Sequence, residues 1–173
     1  MTSGVDFIAD LAELRRAGEA TLPYFSADAS ALARSYAFGK WTLRQLLIHL
    51  VDGESVFLDR VRRLIADQEP LLLAFDENRW ADHLFAPQRD LAAAGRLFAA
   101  SRATLIELAS LCPPALHGRE GRHSERGTRT LAQVVRFVHQ HNAHHLDQLA
   151  AIAANRPWTA RDDDPLAAHY KTR

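Results

Sequence analysis

Apolar residues recur at steps of three and four along four stretches of the chain, and no stretch alternates as a half-buried strand would. Phe7, Ile8, Leu11 and Leu14 form the first stripe, which predicts a helix over residues 4–20. Leu46, Leu50, Gly53, Phe57, Val61 and Leu64 form the second. Thr42 and Gln45 stand at capping-box spacing before it, and the pattern stops near Gln68, ahead of Pro70. A third helix is predicted over residues 88–111, bracketed by Pro87 and by the Pro113–Pro114 pair. The fourth opens on another capping box, Thr130 and Gln133. It carries Leu131, Val134, Val138, Leu149 and Ile152, and ends near Ala154, before Asn155 and Pro157. The expected architecture is all-α, a four-helix bundle in which residues 1–173 form one domain.

The segments between the stripes differ in character. Residues 21–40 read as an irregular connection with a short helical turn around residues 29–34. Two other connections, 69–87 and 113–129, are long for a compact domain, and such loops tend to be functional or to cross the fold. The first holds Phe75, Trp80 and Phe85 and is expected to pack against the bundle. The second is polar and Gly-rich and reads as mobile, and the tail beyond Trp158 reads as surface.

Charge narrows the possible partners. Lys and Arg number 21, Asp and Glu also 21, and the formal net charge is zero. A general attachment to nucleic acid needs a basic face that releases counterions, and a polybasic membrane contact needs the same. Neither is expected. The single cysteine, Cys112, cannot form an internal disulfide and is expected to be an inert thiol at a helix end. The first residues lack the basic start and apolar core of a signal peptide, and no apolar run reaches membrane-spanning length. The expected compartment is the cytoplasm. Neutral charge and the alanine-rich run at residues 91–100 suggest a homodimer.

There are nine histidines against one methionine. Stepping along the fourth stripe from Val138 by three and then four gives His141 and His145, before Leu149. Two imidazoles therefore occupy core slots one turn apart on one helix face, the spacing by which a helix presents two histidines to one metal. Each would otherwise need its own polar partner in an apolar interior. His49, beside Leu46 and Leu50 on the inward side of the second helix, supplies a third vertex at a similar depth. His144 points about a quarter turn away, as an outer-sphere or surface group. His139 is expected to face solvent or a partner, and His123 to lie at the surface. His83, His117 and His169 carry no signal. Trp41 is expected to staple its helix start into the core, Trp80 to anchor its loop, and Glu54 to partner an arginine or a backbone group.

These residues resemble a known superfamily. The stretch GKWTLRQLLIHLVDGE, residues 39–54, looks like one signature of the DinB/YfiT-like four-helix proteins, and HNAHHLDQL, residues 141–149, resembles the other. The approach to the last helix at residues 127–131 and the segment FDENRW at residues 75–80 are similar as well. The resemblance implies metal ligands at His49, His141 and His145 and an up-down-down-up bundle. That order needs a crossover between the second and third helices. The 69–87 connection, extended, reaches roughly 60 Å against a bundle length of about 40 Å.

Three neutral imidazoles leave the double charge of a divalent ion uncompensated, which suits Lewis-acid chemistry on water or a thiol. Zinc or nickel fits such a site first, iron or copper next. Asn142 stands where a zincin carries its general base, and no other carboxylate is placed near the ligands by spacing. The expected function is a metal-dependent transferase that joins a low-molecular-weight thiol to a small electrophile. The resemblance points the same way, since relatives include thiol-dependent transferases and isomerases as well as metal hydrolases. The alternatives are hydrolysis of a small molecule and a non-catalytic metal- or ligand-binding stress-response module.

Overall fold

A computed structural model of the chain describes residues 4–167. Four long helices carry the predicted stripes: α1 (Gly4–Thr21), α3 (Leu43–Ala66), α5 (Leu91–Leu111) and α6 (Leu131–Ala153). Two short ones, α2 (Ala29–Leu32) and α4 (Glu77–His83), lie in the connections. Both expected capping boxes form, Thr42 with Gln45 and Thr130 with Gln133, each satisfying two amides that the first helical turn leaves unpaired. Helix α5 starts later than predicted because Asp90 caps it, accepting from the amides of Ala92 and Ala93. Helix α6 ends on Asn155 at φ 51°, and the amides of Asn155 and Arg156 return to the carbonyls of Ile152 and Ala151. That is a Schellman closure, with asparagine in the left-handed slot usually given to glycine.

The polar connection 113–129, expected to be mobile, is instead ordered as a β-hairpin of β2 (Glu120–His123) and β3 (Gly127–Thr130). Strand β1 (Leu71–Leu72) from the other long connection pairs parallel to β2, giving a three-stranded sheet in the order β1-β2-β3. The alternation of buried and exposed positions in β2 is real but only four residues long, too short to stand out as periodicity. Gly127, at φ 68°, closes the three-residue turn that pairs it with His123. Gly121 lets β2 lie against α3, since a Cβ there would come within 3.0 Å of Leu64 and 3.1 Å of the Pro70 carbonyl.

Each long helix packs on two others: α1 on α5 and α6, and α3 on α5 and α6. The apolar core falls into two clusters. One holds Phe7, Leu14, Phe57, Val61, Leu64, Leu105, Val135 and Val138. The other holds Phe25, Leu46, Leu50, Phe98, Leu149 and Ile152. The alanine-rich start of α5 packs within the second cluster, through Ala94 and Gly95, and so serves this chain's own core. Between the clusters runs a layer of buried polar side chains: Glu54 and His49 from α3, Arg102 from α5, Asn142, His141 and His145 from α6, and Thr21 from α1.

Arg102 ties the layer together. Its Nε and Nη2 donate to the two oxygens of Glu54 at 2.7 and 2.6 Å. Its Nη1 donates to the Leu14 carbonyl and to Asn142 Oδ1, each at 2.8 Å. Asn142 Nδ2 then donates to Thr21 Oγ1 at 2.9 Å, and that hydroxyl donates to the Ala17 carbonyl. Glu54 thus has the arginine partner expected of it, and Asn142 serves the bundle rather than the histidines. No helix among the described residues is long and apolar enough to cross a membrane. Neutralising one half of the buried pair strands the other charge, so Glu54→Leu is expected to lose about 3–5 kcal/mol of stability in urea unfolding. The double variant Glu54→Leu/Arg102→Met should lose much less; a loss equal to the single variant's would show that the pair is not the stabilising unit.

Candidate metal centre

The inward face of α3 presents His49 and that of α6 presents His141 and His145, and the three rings converge within the polar layer. Their centroids lie 4.5 to 5.0 Å apart, and one ligating nitrogen from each ring falls within 4.8 Å of the others. His49 Nε2 is 3.0 Å from His141 Nε2. Two nitrogens bound to one ion at about 2.0–2.1 Å are separated by roughly 2.9 to 3.4 Å, depending on the bond angle. The His49–His141 spacing therefore already fits a shared cation, and the His145 nitrogen lies within 4.8 Å of both. The donor set, three neutral imidazoles, suits a borderline divalent metal.

Neighbouring groups fix which nitrogen faces inward. His145 Nδ1 lies 2.7 Å from Gln148 Oε1, an atom that only accepts, so Nδ1 carries the proton and Nε2 turns its lone pair to the centre. Gln148 Nε2 donates to His144 Nε2 at 3.3 Å, and His144 Nδ1 donates to Asp164 Oδ2 at 2.6 Å. Every donor in this chain from Asp164 to His145 meets an acceptor. His144 is thus a buried outer group that acts on His145 through Gln148. The tail beyond Trp158, expected at the surface, in fact closes this side: Trp158 packs edge-on to His144 at 5.1 Å, and Asp164 and Leu166 are buried there. His169 lies outside the described residues.

An aromatic wall surrounds the triad. Trp41 lies 4.8 Å from His49, as well as stapling the start of α3, and Phe57 lies 5.2 Å from His141. Phe75 faces His49 at 6.4 Å and is itself held by Trp80 at 4.6 Å. Burial in this wall lowers the pKa of His49 to about 4, against an opposing pull from Glu77. Burial also takes His141 and His145 well below the usual histidine value, reinforced by the charges the neighbouring histidines would carry. All three therefore stay neutral, the form that binds metal.

Two open cavities flank the triad. One, of about 540 Å³, is lined by Tyr36, Trp41, Trp158, His145 and Gln148. The other reaches His49 and His141 between Phe57, Phe75, Arg60 and His123. Glu77, in the first turn of α4, lines both. Spacing along the chain left this carboxylate unplaced; only the packing of the 69–87 connection brings it to the histidines. His123, expected at the surface, is buried in β2 and lines the second cavity. His139 is half-buried with Nδ1 3.7 Å from Asp10, His117 stacks on Phe7, and His83 is exposed at the end of α4. Cys112 sits half-buried at the end of α5, where burial raises its pKa, as an inert thiol requires.

Residues 13–149 match the model of the DinB superfamily. This chain belongs to that superfamily. Among DinB-like relatives, two proteins of Oceanobacillus iheyensis carry the name "putative metal-dependent hydrolase". One is 25% identical over 73% of each chain, and the other 34% identical over a shorter stretch that covers 29% of each. The fold is also that of YfiT from Bacillus subtilis, described as a probable metal-dependent hydrolase with an unusual four-helix bundle topology. The TM-score is 0.83 at 18% identity, with 92% of each chain covered. A mycothiol-dependent maleylpyruvate isomerase shares the fold with TM-score 0.70 at 17% identity, over 88% of this chain and 65% of its own.

The histidines of this DinB member make its stability depend on pH. Unfolded, they titrate near 6.5; folded and metal-free, His49 titrates near 4 and the other two are depressed as well. Between those values the unfolded chain binds more protons, so stability falls as pH falls from about 6.5 toward 4. Melting of the chelated protein across that range should show the loss, and a flat profile would contradict the burial. At neutral pH the apolar clusters should hold the chain helical without metal, so chelation should lower the melting temperature but leave the circular dichroism of a helical protein.

Proposed function

We propose that His49, His141 and His145 hold one divalent metal ion, and that the protein is a metal-dependent hydrolase of a small molecule. The observation that carries this reading is the position of Glu77, a carboxylate beside both cavities and within electrostatic reach of His49. Hydrolysis needs a group to take the proton of the attacking water, and none was evident from spacing along the chain. A bound divalent ion would supply Lewis-acid charge to polarise the bond being broken and to acidify water or a thiol. The protein's own groups do the rest. Glu77 takes the proton on a carboxylate oxygen and returns it to the leaving group. Gln148, held by His144 and Asp164, keeps the His145 proton on Nδ1. Trp41, Phe57 and Phe75 pack against the rings of His49 and His141 and give the cavities beside them apolar walls. The names of the Oceanobacillus relatives point the same way.

Transfer of a low-molecular-weight thiol to a small electrophile is the second reading. It is favoured by the roomy aromatic cavity beside His145, which offers Tyr36, Trp41 and Trp158 to the body of a thiol, and by the fold shared with a mycothiol-dependent enzyme. In both readings the bundle runs up-down-down-up. Asp10 meets Arg136 and Thr21 meets Asn142, supporting parallel α1 and α6. Leu46 and Leu50 share a core cluster with Ala94 and Phe98, and Val61 and Leu64 share the other with Leu105 and Ile106, supporting parallel α3 and α5.

Metal content of purified variants tests the site. His49→Ala, His141→Ala and His145→Ala should each lose most of the bound metal, and His83→Ala should keep it. Full metal in His49→Ala would place every ligand on α6. Glu77→Gln should keep its metal yet lose about 10²–10⁴-fold in hydrolysis of model esters and amides. Undiminished hydrolysis in Glu77→Gln would remove the base, and turnover only in the presence of a thiol would favour transfer.

A further inference from the structure

Among the described residues two arginines are buried, and their surroundings differ. Arg102 has a carboxylate, a carbonyl and an amide oxygen on its guanidinium. Arg60, on α3 and only 7% exposed, donates through Nη2 to the Leu73 carbonyl, while its Nε is buried with no partner. No carboxylate forms an ion pair with Arg60 among the described residues. Burying a guanidinium without an anion is costly, and an orphaned buried donor adds to that cost. The cost shows in its ionisation: burial and the neighbouring Arg126 pull Arg60 down to about 10, against a weaker opposing pull from Asp59 and Glu125, neither of which pairs with it.

The surroundings of Arg60 are basic. It lines a cavity of about 280 Å³ together with His123, Arg126, Arg129 and Arg136, and among the described residues no carboxylate lines that wall. Arg136 is engaged by Asp10 on α1. The basic wall meets the metal centre through two phenyl rings. The Arg60 guanidinium lies 5.6 Å over Phe57, whose ring is 5.2 Å from His141. The Arg126 guanidinium lies 5.3 Å over Phe137, whose ring is 5.9 Å from the same histidine. The cavity that joins the two regions has Arg60, Arg126 and His123 on one side and His49 and His141 on the other, with Glu77 and Glu125 also in its wall. His123 Nδ1 accepts the Glu125 amide at 3.2 Å, which leaves its Nε2 as a further donor.

We propose that Arg60, with Arg126 and Arg129, forms an oxyanion-binding subsite beside the three histidines, and that the substrate is a small molecule carrying a carboxylate or phosphate. The anion supplies the partner that the fold withholds from Arg60, and a planar guanidinium matches either oxyanion through paired N–H donors. With the anion held there, the substrate's reacting bond lies one phenyl ring away, at the histidines and Glu77. Glu77, the carboxylate within electrostatic reach of His49, repels a second anionic group at the histidine end, which favours one orientation of the charged end. The substrate class rests on the reading of this centre as a metal-dependent enzyme; the subsite itself does not.

Calorimetric titration of the full chain, first stripped of metal with chelator, separates the two. Inorganic phosphate and succinate are titrated at fixed ionic strength in chloride, and the tighter of the two identifies the oxyanion. The wild type should bind at least one saturably. Arg60→Met and Arg126→Gln should each bind it at least tenfold more weakly, and Arg122→Gln, an exposed arginine of β2 outside both cavities, should match the wild type. His49→Ala should lose metal but keep the anion, so loss of the metal reading leaves this measurement standing. No saturable binding of either anion by the wild type would overturn the subsite. So would wild-type affinity in Arg60→Met, or an equal loss in Arg122→Gln. Should Arg60→Met fail to fold by circular dichroism, Arg126→Gln decides by the same criteria.

Discussion

The carboxylate of Glu54 and the guanidinium of Arg102 meet where neither can be hydrated, and the packing of the four long helices around them follows from satisfying both. A buried ion pair repays its desolvation only when the remaining donors and acceptors are also met. Here that requires a backbone carbonyl from α1, a carboxylate from α3 and an amide from α6 around one side chain of α5. Such a network admits few alternative registers of the helices. It also divides the apolar core in two and leaves a polar layer between the halves. The histidines occupy that same layer, so the groups that set the register of α3 against α6 also set the distance between His49 and His141.

The connections between helices complete the site. The segment between α3 and α5 adds β1 to the sheet, buries Leu72, and brings Phe75, Glu77 and Trp80 to the edge of the triad. The hairpin before α6 pairs with it and places His123 and Arg126 on the second cavity. The segment after α6 returns through Trp158 to Asp164 and closes the hydrogen-bond chain behind His145. The long helices thus carry the three clustered imidazoles, and connections anchored by short paired strands carry the groups that would meet a substrate. This division suits a fold that keeps one kind of centre while its loops vary.

The two buried arginines show how composition and placement differ in their consequences. A net charge of zero excludes a general attraction for polyanions, yet it does not prevent four arginines from lining one cavity. Charge averaged over the chain governs long-range attraction; charge gathered in a concave wall governs what binds in it.

The sequence by itself determined the four long helices, both capping boxes and the inward facing of His49, His141 and His145. Each of these is written in spacing within one helix, where 3.6 residues per turn tells which side chains share a face. The family membership follows from the same stretches, since those spacings are what the two signatures contain. Only the tertiary structure decided the role of Asn142, which spacing placed beside a metal and packing turned to Arg102 and Thr21. It also decided the positions of Glu77, His123 and Asp164. These residues reach the centre from separate elements across long sequence distances. The hairpin escaped notice because its alternation spans four residues, and the tail because its one buried carboxylate lies in an otherwise polar run. Local periodicity tells which way a side chain faces; what it faces depends on contacts between distant segments, which no local pattern encodes.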